Sequence, residues 1–378
     1  MGAKSTSRPQ KFRGCSPQFV PSSNIVHSSL SRYTPSLGTR TSCVLPLQDA
    51  LPSAGMVVWE TLDALSHQLE LCNVSAESRL AVLIDPTLDT EQIAQTRAAV
   101  ARSGASAIEI HLAPNECVNN EPLAAAINVC DLIVTTGGHD RHAFATDDRV
   151  LHLHSMTRQS FAPHASLRRR VRSLVGAVES ATTLTVSGTN GTDISITLSG
   201  SSTEFDHGFV TAGHNRASFP AGWVNVTPTS ASVHGQLVLM PGDANLNAHR
   251  LINSPVFLQI VDDHISAIEG DSPDADVIRA LLEHPGETSA FGIAGVSIGL
   301  NPGAVVSGPF DNRLLDPIIG RLLAGVIQLS FGNNLVADRP CPQTVTMALR
   351  DRSVHLEALP VVVAGQLDGD FAPDVYEF

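Results

Sequence analysis

Residues 183–198 read Thr183-Leu184-Thr185-Val186-Ser187-Gly188-Thr189-Asn190-Gly191-Thr192-Asp193-Ile194-Ser195-Ile196-Thr197-Leu198. Apolar side chains fall at Leu184 and Val186, then at Ile194, Ile196 and Leu198, with polar residues between them. A period of two puts the apolar set on one face of an extended chain. Asn190-Gly191 supplies the turn between the two runs. The stretch is therefore a β-hairpin, and the chain changes character at it.

Upstream, the pattern alternates between helix and strand. Residues 57–71 carry Val58, Leu62, Leu65, Leu69 and Leu71 near helical spacing. Leu80-Ala81-Val82-Leu83-Ile84, closed by Asp85-Pro86, reads as a buried strand. A helix over 90–103 ends at Gly104, and strands follow at 107–110, 132–134 and 150–154, with a helix at 121–130. Strands alternating with helices imply parallel βαβ units. Downstream, strands are expected at 223–227, 235–239, 255–260 and 264–268, the last two joined at Asp262-Asp263. Helices are expected at 275–283 and 313–324, and strands at 325–330, 343–349 and 353–363. The expected fold class is an α/β N-terminal domain, residues 56–175, followed by an α+β, largely antiparallel domain, residues 176–378.

Composition limits the function. The chain has 378 residues and a formal net charge of -13. That charge argues against nucleic acid, whose phosphates attract basic surfaces. Arg168, Arg169, Arg170 and Arg172 form one basic run, read as a solvated helix face. The six cysteines form no Cys-x-x-Cys pair, which fits reduced thiols in a cytoplasm. There is no apolar run of membrane-spanning length, so no membrane partner is expected. Residues 1–55 differ from the rest. They are rich in Ser, Pro and Thr, basic through residues such as Lys4, Arg8 and Arg13, and hold one acidic residue, Asp49. A disordered tail, a transit peptide and a start site at Met56 all fit this composition.

The second half carries a resemblance. Gly213-His214-Asn215-Arg216-Ala217-Ser218-Phe219-Pro220-Ala221-Gly222-Trp223 runs into a Pro-x-Gly turn and a strand. Residues 291–302, FGIAGVSIGLNP, and 325–334, GVIQLSFGNN, are glycine-rich blocks. With Thr227-Pro228, His234-Gly235-Gln236-Leu237 and Pro340-Cys341, these segments resemble the family of thermophilic metallo-aminopeptidases and 2,5-dihydroxypyridine dioxygenases. Turn for turn they are closer to the dioxygenase branch. The resemblance implies an Fe(II) site of two His and one Asp. At the corresponding positions this chain has Gly295, Pro342 and Thr344. The peptidase ligands correspond to Trp223, Gly295 and Gln328. None of these is a His or a carboxylate, so no metal ligand and no cofactor are expected. Fe(II) is implied only by the alternative in which the ligands stand elsewhere.

Three residues remain as candidates for catalysis. Asp206, next to His207 and upstream of the Pro-x-Gly turn, has the carboxylate of a general base. His214 lies nearby in the chain. His139 follows the third strand, where open α/β sheets place ligand-contacting residues. Each is also an ordinary polar loop residue. His152 and His154 share a strand face but are too few to bind metal. Cys341 has no assignable base. The expected function is a metal-independent enzyme acting on a small nitrogen-containing substrate, an N-heterocycle or an amide, by acid–base chemistry. A metal-dependent ring-opening dioxygenase or aminopeptidase is the alternative, and a non-catalytic ligand-binding or partner subunit the other class. A homo-oligomer is expected, because the antiparallel sheet has edges to cover.

Overall fold

The structure, a computed structural model, describes residues 45–46, 59–85, 90–112, 121–137, 144, 147–154, 163–304 and 312–374. In chain order the first elements are β1 (Leu45–Pro46), α1 (Trp59–Leu71), β2 (Arg79–Ile84), α2 (Thr90–Ser103), β3 (Ser106–His111), α3 (Glu121–Ile127), β4 (Leu132–Thr136), β5 (Val150–Leu153) and α4 (Ala165–Ser180). There follow β6 (Thr183–Ser187), β7 (Asp193–Thr197), β8 (Ser202–Asp206), β9 (Arg216–Phe219), β10 (Trp223–Thr227), β11 (Val233–Leu239), β12 (Ala244–Asn245) and β13 (Arg250–Leu251). The rest are β14 (Val256–Val261), β15 (His264–Glu269), α5 (Pro273–Glu283), β16 (Ile293–Gly299), α6 (Pro317–Leu322), β17 (Ile327–Asn334), β18 (Arg339–Leu349), β19 (Ser353–Leu356), β20 (Leu359–Val363) and β21 (Gln366–Leu367).

The fold class is as read: an α/β part with a parallel sheet, then antiparallel sheets. The first sheet runs β1-β3-β2-β4-β5-β9. Its inner strands β2, β3, β4 and β5 pair in parallel. Leu80 to Ile84 are fully buried, because α1 and α2 cover one face and α3 the other. Two features went unread. The segment Arg216–Phe219, which lies in the second half of the chain, joins this first sheet parallel to β5. At the other edge, Leu45–Pro46 pairs antiparallel with β3.

The second half packs two sheets face to face. One runs β13-β12-β18-β17-β16-β10-β8, the other β15-β14-β11-β7-β6-β19-β20-β21. Leu184, Val186, Ile194 and Ile196 of the hairpin meet Val224, Val296, Ile298 and Leu329 of the facing sheet in one core. Burying each such side chain contributes about 1.5–3 kcal/mol. Asp262 and Asp263 turn with φ of 48° and 67°, the left-handed pair that a tight hairpin requires. The expected helix over 313–324 shortens to α6 behind an Asp316 cap, because Pro317 and the capping carboxylate fix a start there. The expected strand 353–363 folds back as β19 and β20 about Glu357. The basic run lies on α4, but only three of its arginines are solvated: Arg170 is fully buried, with Nε donating to the Ala372 carbonyl at 3.4 Å.

The glycines of 291–302 have steric causes. A Cβ at Gly299 would collide with the Leu323 carbonyl oxygen, and one at Gly292 with the Arg339 guanidinium. At Gly295 the nearest atom would be Asn225 Oδ1, 3.1 Å away, the end of a side chain that can move. Gly299→Ala is therefore expected to destabilise the chain by about 1–3 kcal/mol or more, and Gly295→Ala by clearly less. Urea midpoints of the two variants check the order, and equal losses would contradict it.

Candidate functional site

Strand alternation builds a polar floor. In the β10-β16-β17-β18 sheet, the residues facing the core are apolar, so those between them point to the opposite side. Across that side Asn225 stands opposite Ser297, and Ser297 opposite Gln328. In the next row Gly295, Ser330 and Thr346 are in register. These side chains, without the glycine, and Thr344 line a cavity of about 480 Å³.

Two segments close over this floor. Arg321 of α6 donates through Nε to Ser297 Oγ at 3.1 Å, and its guanidinium lies 3.5 Å above the Trp223 ring. Asn247, just past β12, grips β18 from both sides of its amide: Nδ2 donates to the Thr344 carbonyl and Oδ1 accepts from Thr346 N, both at 2.8 Å. His249 completes the rim with a left-handed φ of 48°. Gln328 is 6 % exposed, and its Nε2 has no hydrogen-bond partner.

This cavity holds the positions to which the resemblance assigns a metal, with one correction. Pro342 does not line it. The two β18 side chains at the required two-residue spacing are Thr344 and Thr346. Of the expected pair, Pro342 and Thr344, only Thr344 is in the lining, and Thr346 is the β18 side chain beside it. Thr346 lies in register with Ser330 beside Gly295, whereas Pro342 lies beyond the Gly332–Thr344 pair. The corrected set fits a metal no better. It consists of hydroxyls and neutral amides, with a guanidinium touching Ser297, and a cation there would face a fixed positive charge. Among the described residues no group of three His, Cys, Asp or Glu is arranged to hold a metal ion. His152 and His154 do touch, with ring centroids 4.6 Å apart, but Thr135 Oγ1 engages His152 Nδ1 at 2.8 Å.

Asp206 and His214 do come together. Asp206 ends β8 opposite Trp223, the residue under Arg321. Its carboxylate is buried and accepts from Gly208 N and Ser218 N, each at 2.8 Å. These bonds tie β8 to β9, and so the antiparallel sheet to the parallel one. His214 Nε2 lies 3.8 Å from Asp206 Oδ1, and the His214 ring stacks on Phe205. His139 lies outside the described residues.

His207, the neighbour of Asp206, is fully buried, with its ring centroid 4.2 Å from that of His214. Its Nδ1 accepts from Phe209 N at 3.2 Å, which assigns the ring proton to Nε2. Burial, then the His214, Arg172 and Arg168 charges, push its pKa down to about 3 against a smaller opposing pull from Asp206. At neutral pH it is an uncharged Nε2–H donor. An unfolded imidazole titrates near about 6.5, so as pH falls the unfolded chain takes up the proton first. The stability contributed above that pH is lost as pH falls from about 6.5 toward 3. His207→Gln removes the titration and is expected to flatten this acid limb. Urea midpoints at two pH values measure it; an unchanged pH difference in the variant would sink the assignment.

Reading from the sequence named Asp206, His214 and His139 as candidates, and did not name Arg321, His249 and Asn247, which line the cavity. No local signal marks them. They converge on the sheet from two separate places in the chain, residues 247–249 and Arg321.

A mostly antiparallel sandwich joined to a small parallel sheet is an architecture found among solved structures. The model of the NicX family, 2,5-dihydroxypyridine 5,6-dioxygenase, matches residues 60–369, and the chain belongs to that family. Among solved structures it resembles 2,5-dihydroxypyridine dioxygenase from Pseudomonas putida KT2440, at 20% identity and a TM-score of 0.67, over 82% of this chain and 97% of that one. It also resembles AmpT from Thermus thermophilus, at 13% identity and a TM-score of 0.53, over 82% of this chain and all of the other. Comparison with curated proteins finds no match. No helix among the described residues is long and apolar enough to cross a membrane.

Proposed function

We propose that this family member is an enzyme of small-molecule metabolism that works on a small nitrogen-containing substrate, an N-heterocycle or an amide, without a bound metal. The observation that carries the reading is the pocket floor, where Ser297, Gln328, Thr344 and Thr346 stand under Arg321. Hydroxyls and amides orient a polar substrate by hydrogen bonds. They do not offer the imidazole and carboxylate ligands that hold Fe(II). Acid–base work falls to Asp206 and His214, with His139 as the third candidate. His214 would move the proton, with the Asp206 carboxylate 3.8 Å from its Nε2 and the neutral His207 ring packed beside it.

Metal analysis of the chain purified without a His-tag tests this. Less than about 0.1 equivalent of Fe, Co, Mn or Zn is expected, since loss of a supporting group alone costs about 10- to 100-fold in metal affinity. Stoichiometric iron together with oxygen uptake on 2,5-dihydroxypyridine would replace this reading with the metal-dependent dioxygenase. A cytoplasmic homo-oligomer is part of the same proposal. Phe257 and Val261 on β14, and Leu359 and Val363 on β20, are exposed apolar residues on one sheet, and a partner copy would cover them. Light scattering at micromolar concentration is expected to give at least a dimer, and a monomer mass refutes it.

A further inference from the structure

We propose that Gln328 is the ligand-reading residue of the cavity over β16, β17 and β18, and that its ligand presents an uncharged amide edge, an N–H beside a C=O, as in a lactam or a primary carboxamide. This assignment rests on the metal-free reading of the same pocket and narrows its substrate. A volume of about 480 Å³ is that of a small-molecule site.

Most polar groups of the described lining are already engaged with the protein. Ser297 Oγ accepts from Arg321 Nε at 3.1 Å and donates to the Val224 carbonyl at 3.3 Å. Asn225 Nδ2 donates to Thr227 Oγ1 at 3.2 Å, and the Ser330 and Thr346 hydroxyls bond each other at 3.0 Å. Asn247 engages the β18 backbone with both ends of its amide. Arg321 is held at Ser297 and over the Trp223 ring, and so forms part of the wall.

Gln328 differs. It is more than nine-tenths buried, it lines the cavity, and its Nε2 has no hydrogen-bond partner. Such a buried donor is rare in folded proteins, because the water it has lost is not replaced. Two neighbours fix its place. Gln328 stands in register with Ser297 on β16, and its Nε2 lies 3.4 Å from where a Cβ on Gly320 of α6 would stand. Glycine at 320 leaves room for the amide beside α6, whose Pro317 and Arg321 line the same cavity. A ligand carbonyl oxygen at Nε2 satisfies the donor. The same amide carries an acceptor, Oε1, next to that donor. A ligand with C=O and N–H on one edge meets both through two parallel hydrogen bonds, the geometry in which glutamine pairs with an adenine edge.

The test is calorimetric titration of the full chain, dialysed against EDTA and assayed for metal, with 2-piperidone, cyclohexanecarboxamide and N-methyl-2-piperidone. The first two present the amide edge, and the third has lost its N–H. At least one of the first two is expected to bind at least about tenfold tighter than the third, the difference of one buried hydrogen bond. The tighter of them tells a lactam from a carboxamide. Gln328→Met is expected to remove the preference. It should also melt no lower than wild type, because it deletes a donor that the fold leaves unpaired. A clearly lower melting temperature would make Gln328 a support of the fold and overturn its reading role. N-methyl-2-piperidone binding as tightly as both amides, or a preference that survives Gln328→Met, overturns the proposal. Failure of both amides to bind, before and after Fe(II) is added to a chain free of metal, overturns it and leaves the metal-free reading standing. A Gln328-dependent preference that needs Fe(II), or that is seen in a chain retaining stoichiometric metal, supports the amide edge and overturns the metal-free reading alone.

Discussion

Asp243→Ala is expected to destabilise the protein by about 3–5 kcal/mol. Asp243 and Arg352 are both almost completely buried, and Arg352 Nη2 meets Asp243 Oδ2 at 2.6 Å. The same carboxylate accepts from Arg350 N at 2.9 Å and Met240 N at 2.8 Å. It therefore joins the end of β11, the start of β12 and the turn between β18 and β19, and so both sheets of the sandwich. Burial raises the Asp243 carboxyl above the usual range, against the pull of Arg352 and the two backbone donors. Removing the carboxylate leaves a guanidinium in the interior that cannot lose its proton. The pair Asp243→Leu with Arg352→Met removes both charges and is expected to recover much of the loss. Urea unfolding of the single and double variants checks this, and a single-variant loss under about 1 kcal/mol would contradict the burial argument.

The second large effect is a gain. Gly295→His with Thr344→His and Thr346→Asp is expected to create an Fe(II) site where the wild-type floor has hydroxyls, raising iron from trace to about one equivalent. Register is the reason for these positions. Gly295 and Thr346 flank Ser330 on adjacent strands, roughly 10 Å apart across two strand spacings, so their longer replacements reach a common centre. The same change at Pro342 would sit one more strand period away and should bind far less. Asn225 must shift its amide to admit the new Cβ at 295, 3.1 Å from Oδ1, and the Val226 carbonyl oxygen, 3.3 Å from the same Cβ, must give by a few tenths of an ångström. Arg321→Met, by removing the facing positive charge, is expected to tighten the site further. Iron analysis after anaerobic loading decides it: equal iron in the 342/344 and 344/346 designs would show that the register argument fails.

Much of the framework was legible because it is local. The buried run at 80–84, the alternation of 183–198 and the Asp262-Asp263 turn each follow from the chemistry of a few adjacent residues. Asp206 and His214 were also within reach, being eight positions apart in one loop region. The absence of His and carboxylate in the glycine-rich blocks could be read directly.

Tertiary structure decided the rest. A period of two says which side chains share a face, but not which residue of one strand stands beside which of another. Pro342 and Thr346 are both one or two steps along the same face of β18, and only pairing with β17 selects Thr346. Arg170 lies in a basic run on α4 that reads as solvated, yet the fold buries it against the Ala372 carbonyl, 202 positions away. Arg216–Phe219 enters the parallel sheet because Asp206 ties Ser218 to the end of β8. The pocket itself gathers Asn225, Asn247, Ser297, Arg321 and Gln328 from five places in the chain. Sequence fixes what each of these residues can donate. Long-range strand register and the path of α6 decide that they face the same cavity.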